Sequence, residues 1–109
     1  MALHTITFSF LPEQPCTGIP EGWTHCGVVG SGDMEVLMYR HADSDEVRVK
    51  IVTPLTGFDH VWEKVVRRFA SESGVGGLVI EINDNNATPY TAALRLRQGL
   101  QQAKAGGNL

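Results

Sequence analysis

The sequence predicts a two-layer α+β sandwich, in which a mostly antiparallel sheet of about four to five strands carries two helices on one face, and three observations point to it. Segments with period-two alternation come first, two segments of helical period follow, and one more apolar strand lies between those two. At 109 residues, 42% of them hydrophobic and 19% charged, the chain has room for one core and no deep second cavity. Residues 1–109 are read as one domain, with no internal repeat and no low-complexity tract.

Each element has a local cause. In residues 5–10, Ile6, Phe8 and Phe10 alternate with Thr5, Thr7 and Ser9, as on a half-buried strand. Residues 11–25 read as a loop, because Pro12, Pro15, Gly18, Pro20 and Gly22 punctuate the backbone too densely for an element interior. The apolar pair Val28-Val29 then enters a glycine-rich turn, Gly30-Ser31-Gly32-Asp33. Residues 34–40 and 46–52 read as two strands joined by a polar turn around Asp43-Ser44-Asp45. In the second, Val47, Val49 and Ile51 share one face while Arg48 and Lys50 take the other.

The first helix follows a start signal in which Thr56 caps and Asp59 favours the positive N-terminal end. Phe58, Val61, Trp62, Val65, Val66 and Phe69 then recur at three-and-four spacing on one stripe, until Gly74, Gly76 and Gly77 stop it. Residues 78–83 form a strand with Leu78, Ile80 and Ile82 toward the core, followed by a polar loop, Asp84-Asn85-Asn86. Thr88 before Pro89 starts the second helix, since Thr caps orphan amides and Pro at the first helical position loses no hydrogen bond. That helix runs to about Lys104 on a narrower face of Ala93, Leu96, Leu100 and Ala103, and is expected to pack more marginally than the first. Residues 105–109 are expected to be a flexible tail.

Charge and composition exclude several functions. A formal net charge of −3 argues against a nucleic-acid backbone as main partner, because that binding rests on clustered Lys and Arg. No stretch approaches the ~18 apolar residues that span a bilayer, and the N-terminus lacks a leader pattern, so a cytoplasmic location without membrane insertion is expected. Cys16 and Cys26 form no C-x-x-C pair and are expected to be free thiols. His4, His25, His41 and His60 show no zinc-ligand spacing, so no metal site is expected.

Gly30-Ser31-Gly32-Asp33 is where unusual residues stand together. A purely structural turn would use the same letters, since glycine permits positive φ and aspartate suits turns. The functional reading is that the flanking glycines leave the Ser31 hydroxyl accessible to an enzyme that attaches a group to it. Ser31 does not sit in a G-x-S-x-G elbow, a Walker loop or a dinucleotide fingerprint, which argues against a hydrolase nucleophile. Around it, Asp33 is a candidate to orient the hydroxyl or hold a magnesium-bound donor, although a turn aspartate usually bonds nearby backbone. Arg95 and Arg97 are candidates to meet phosphates, and Trp23 to dock a partner.

Residues 27–37, from Gly27-Val28-Val29-Gly30 through Ser31-Gly32-Asp33 to Met34-Glu35-Val36-Leu37, resemble the modification segment of the malonate decarboxylase delta subunit, a family related to the citrate lyase acyl carriers. Downstream, Asp84, Ala87-Thr88-Pro89 and Leu94-Arg95-Leu96-Arg97-Gln98-Gly99 resemble that family's C-terminal strand, loop and helix, so the similarity covers most of residues 27–102. Met34, where leucine is expected, and the longer, Pro-rich segment from Leu11 to His25 depart from the pattern. The resemblance implies an acyl carrier bearing 2'-(5''-phosphoribosyl)-3'-dephospho-CoA on Ser31 through a phosphodiester, with Gly30, Gly32 and Asp33 as its attachment loop. The terminal thiol of that group would hold acetyl or malonyl.

It also implies partners: an acyl transferase (alpha), a carboxyltransferase-like decarboxylase pair (beta and gamma), a prosthetic-group transferase and a malonyl transferase, which together convert malonate to acetate. The chain itself would be a non-catalytic subunit. Two alternatives stay open at this point. One is an interaction or regulatory module in which Ser31 stays unmodified, and the other is a carrier of the citrate lyase type.

Overall fold

The computed structural model describes residues 3–12, 23–27, 30, 32–41 and 45–104. The elements in chain order are β1 (His4–Phe10), β2 (Trp23–Gly27), β3 (Asp33–Arg40), β4 (Val47–Thr53), α1 (Asp59–Ser73), β5 (Leu78–Asn85) and α2 (Pro89–Lys104). The five strands form one sheet in the order β1-β4-β5-β3-β2. Three pairs are antiparallel, and β4 with β5 is parallel, the crossover that a parallel pair needs being supplied by α1. The α+β class and the mostly antiparallel sheet are as the sequence predicts.

Alternation assigns the faces. Val47, Val49 and Ile51 of β4 and Leu78, Ile80 and Ile82 of β5 are buried, as are Met34, Val36 and Met38 of β3. Phe10 of β1 joins them, with Ile6 and Phe8 partly buried beside it. Trp62, Val66, Phe69 and Ala70 of α1 and Ala92, Leu96 and Leu100 of α2 complete this core. The opposite sheet face is polar: the Tyr39 hydroxyl donates to Glu81 at 2.9 Å and the Asn83 amide to Glu35 at 2.6 Å. Arg67 of α1 lies 4.7 Å over the ring of Phe10 and ties the helix to the edge strand.

Several expectations need correcting. Trp23–Gly27 is a strand, so the last three residues of the predicted loop over 11–25 belong to it; its sequence lacks apolar alternation, and pairing with β3 makes it a strand. Residues 13–22 of that loop, Cys16 among them, lie outside the described residues, as do 42–44 of the predicted polar turn and the tail 105–109. The sequence left the sheet order open, and β3 and β4, consecutive in the chain, have β5 between them. Thr56 does not cap α1: the N-cap is Phe58, without a side-chain cap, and Gly57 at φ +81° turns the chain after Thr56. Asp59 does stand in the first turn, and Gly74 closes the helix in the left-handed conformation.

The strand of residues 78–83 continues to Asn85, so Asp84 belongs to β5 and not to a loop. Its parity places it on the core face, where it is 4% exposed. Burial of this carboxyl is offset because the Thr53 hydroxyl donates to one oxygen at 2.8 Å and the Ala87 amide to the other at 2.9 Å. Thr88 caps α2 as predicted, its hydroxyl accepting from the Thr91 amide at 3.1 Å. The buried face of that helix includes Ala92, where Ala93 was expected, and its backbone comes close to β3 and β2. Its packing is not marginal.

Candidate functional site

The glycine loop meets the end of the sheet where β3 begins and β5 stops, Asp33 pairing with Asn85 in the register. The Gly32 amide donates to the Asn85 carbonyl at 2.8 Å, and the Asp33 amide to the Gly30 carbonyl at 3.1 Å. Ser31 lies outside the described residues. Gly32 is exposed at φ +75°, and a Cβ built there would meet nothing within 4 Å. The glycine at 32 is therefore required by backbone conformation, since a left-handed residue with a side chain costs about 1–2 kcal/mol, and not by crowding.

Asp33 and Arg95, both singled out from the sequence for other tasks, are brought together across the fold. Arg95 Nε donates to Asp33 Oδ1 at 2.9 Å and Nη2 to Oδ2 at 2.7 Å, a two-pronged pair whose side chains are 26% and 20% exposed. Asp33 Oδ1 also accepts from the Met34 amide at 2.7 Å. The Arg95 hydrogen bonds, then the Met34 amide, hold the Asp33 carboxyl below its ordinary value of 3.8, against a smaller opposing effect of burial. Three of about four acceptor positions on the carboxylate are thus taken. Asp33 bonds nearby backbone, as turn aspartates do, and gives most of its capacity to an arginine on the second helix.

Arg95 is also committed on its remaining nitrogen, Nη1 donating to Gln98 at 2.8 Å. Its stem crosses the start of the loop: a Cβ on Gly27, which sits at φ +89°, would stand 3.3 Å from Arg95 Cδ and collide with the Met34 carbonyl. Arg97, two residues on, is exposed and borders a groove with Arg68, Tyr90 and Ala93, away from the loop. Gly27 and Asn85 are participants that sequence reading missed. A backbone carbonyl leaves no signature in its side chain, and Gly27 reads as one glycine among many.

An apolar cleft of about 300 Å³ opens beside the same end of the sheet, between the starts of α1 and α2, lined by Leu55, Phe58, Val61, Val65, Ala87 and Pro89 among others. Phe58 and Val61, predicted for the core stripe, are 46% and 38% exposed on its rim. Thr88 and Trp62 are its polar-bearing residues, so it gathers no acid, base and nucleophile. Among the described residues, no three His, Cys, Asp or Glu side chains are grouped to hold a metal. His41 instead hydrogen-bonds through Nε2 to the Glu46 carbonyl at 2.6 Å. The side chains of Trp23, His25 and Cys26 lie outside the described ones. No helix among the described residues is long and apolar enough to cross a membrane.

Comparison with known proteins agrees along nearly the whole chain. A family model described as malonate decarboxylase delta subunit (MdcD) matches residues 22–103. The malonate decarboxylase acyl carrier protein of Malonomonas rubra is 49% identical over 104 residues, covering 94% of this chain and 91% of that protein. That of Acinetobacter calcoaceticus is 44% identical over 79 residues, 72% of this chain and 78% of the relative. In three dimensions the chain is similar to a chain of a Pseudomonas malonate decarboxylase hetero-tetramer crystallised in complex with malonate. The TM-score is 0.77 at 32% identity, with 92% of this chain and 98% of that one covered.

Proposed function

The chain belongs to the malonate decarboxylase delta-subunit family, and on that premise we propose that it is the acyl carrier subunit of a malonate decarboxylase, modified on Ser31. The observation that carries this reading is the exposed Gly32, held by Asn85 and bordered by open space. An exposed, uncrowded residue next to Ser31 in the chain suits the attachment of a bulky phosphodiester there. When bound, phosphoribosyl-dephospho-CoA supplies a terminal thiol that carries acetyl or malonyl as a thioester.

The chain's own residues do the holding. Gly32 supplies the left-handed turn, the Asn85 carbonyl fixes its amide, and Asp33 joins it to α2 through Arg95. Stabilising an enolate during decarboxylation needs preorganised donors in a closed site, and the apolar cleft offers none. The chemistry therefore falls to partners: the acyl and malonyl transferases and the carboxyltransferase-like pair, with a prosthetic-group transferase acting once on Ser31. A tethered thiol presents itself to each of them at high effective concentration.

The test is the intact mass of the chain from cells growing on malonate, with fragmentation to place any added group. An adduct of the expected mass on Ser31 is the predicted result. Ser31→Ala should remove it while changing stability by no more than about 0.5 kcal/mol. A bare chain from such cells would move the reading to an interaction module.

A further inference from the structure

One side chain touches both Gly27 and Asp33, which stand on either side of Ser31 in the chain. The aliphatic stem of Arg95 lies against Gly27, where a Cβ would come within 3.3 Å of it, and its guanidinium grips Asp33 with two bonds. Arg95 itself stands on a rigid base: its helix is fixed to the sheet by Ala92 and Leu96, 1% and 0% exposed, and Gln98 one turn on accepts from its third nitrogen. We propose that Arg95 is a positioning residue for the attachment site: it ties Gly27 and Asp33, which flank Ser31 in the chain, to the second helix, and the enzyme that modifies Ser31 depends on that tie. The proposal rests on Ser31 as the attachment site.

The physical reason for an arginine is its planar fork. Two parallel bonds to one carboxylate fix orientation as well as distance, which the point charge of a lysine does not. Gly27 is the counterpart of that choice, because at φ +89° and in contact with the Met34 carbonyl and the Arg95 stem it leaves no room for a side chain. A modifying enzyme that accepts one loop conformation sees an apparent affinity reduced by the fraction of chains in that conformation. Loosening the clasp should therefore raise KM and leave kcat nearly unchanged.

The experiment uses the full-length, unmodified chain with the prosthetic-group transferase and a donor bearing phosphoribosyl-dephospho-CoA, together with amide hydrogen exchange on the free chain. Arg95→Met, which keeps the stem and removes the fork, is expected to raise KM for the carrier about tenfold and to accelerate exchange at the Gly32 and Asp33 amides about tenfold. The amides of β4 and β5 should not change. Arg95→Lys should recover less than half of the loss, and Asp33→Asn combined with Arg95→Met should be no worse than the worse single variant.

Unchanged KM with accelerated exchange would overturn the proposal, as would a raised KM without accelerated exchange, which would mark direct contact with the enzyme. Full rescue by lysine, or additive effects in the double variant, would overturn it too. If the wild-type chain never gains an adduct on Ser31, the attachment reading fails, and exchange in the Arg95 variants still decides whether the clasp exists.

Discussion

The two helices invert the ranking their sequences suggest. α1 carries the larger apolar side chains, yet two of them, Phe58 and Val61, end on the rim of an open cleft. α2 has small residues on its inner face, and its backbone approaches β3 and β2, whereas that of α1 approaches α2 and the edge strand β1. Bulk holds a helix away from a sheet and small residues let it approach. At Gly99 a Cβ would stand 3.1 Å from Val36 and 3.3 Å from Met38, closer than ordinary contact. The narrow helix is thereby the one whose Arg95 reaches Asp33.

The largest effect that would sharpen this comparison comes from paired truncations. Leu96→Ala on α2, at a fully buried position, should cost about 3 kcal/mol by urea denaturation, whereas Val61→Ala on α1 should cost less than about 1. Equal losses would mean that the cleft is closed in solution. Next, Gly99→Val should destabilise by about 2 kcal/mol through overpacking against Val36. A neutral result would show that α2 can stand off from the sheet.

The smallest effect concerns the link between helix and loop. The folded Asp33 carboxyl titrates below its ordinary value of 3.8, so its pairing stabilises the fold above that value and is lost as pH falls through the lower, folded one. Asp33→Asn should cost about 1 kcal/mol at neutral pH, as a partly exposed pair does. The difference from wild type should close in acid below about pH 4. A gap that persists at the lowest pH at which both chains fold would assign the effect to lost hydrogen-bond geometry and not to charge.

Much of this was legible because it is local. The alternation in β1, β4 and β5, the Thr88-Pro89 start of α2 and the Gly74 stop of α1 depend on residues a few positions apart, and they hold in the structure. The errors arose where a neighbour elsewhere in the fold decided. β2 exists because β3 pairs with it, and Asp84 is a buried strand residue because Thr53 and Ala87 satisfy its carboxylate. Thr56 fails as a cap because Gly57 and Phe58 intervene before the helix begins.

The same division runs through the site. The sequence by itself determined the class of fold, the glycine loop and, through its resemblance to a carrier family, the serine to test. Only the tertiary structure decided that β5 separates β3 from β4, that the Asn85 carbonyl holds Gly32, and that Arg95 closes on Asp33. Periodicity and turn chemistry are set by backbone sterics within a few residues. The partner of a charge or an amide 50 or more positions away is set by which strands and helices pack side by side, and no local pattern encodes that.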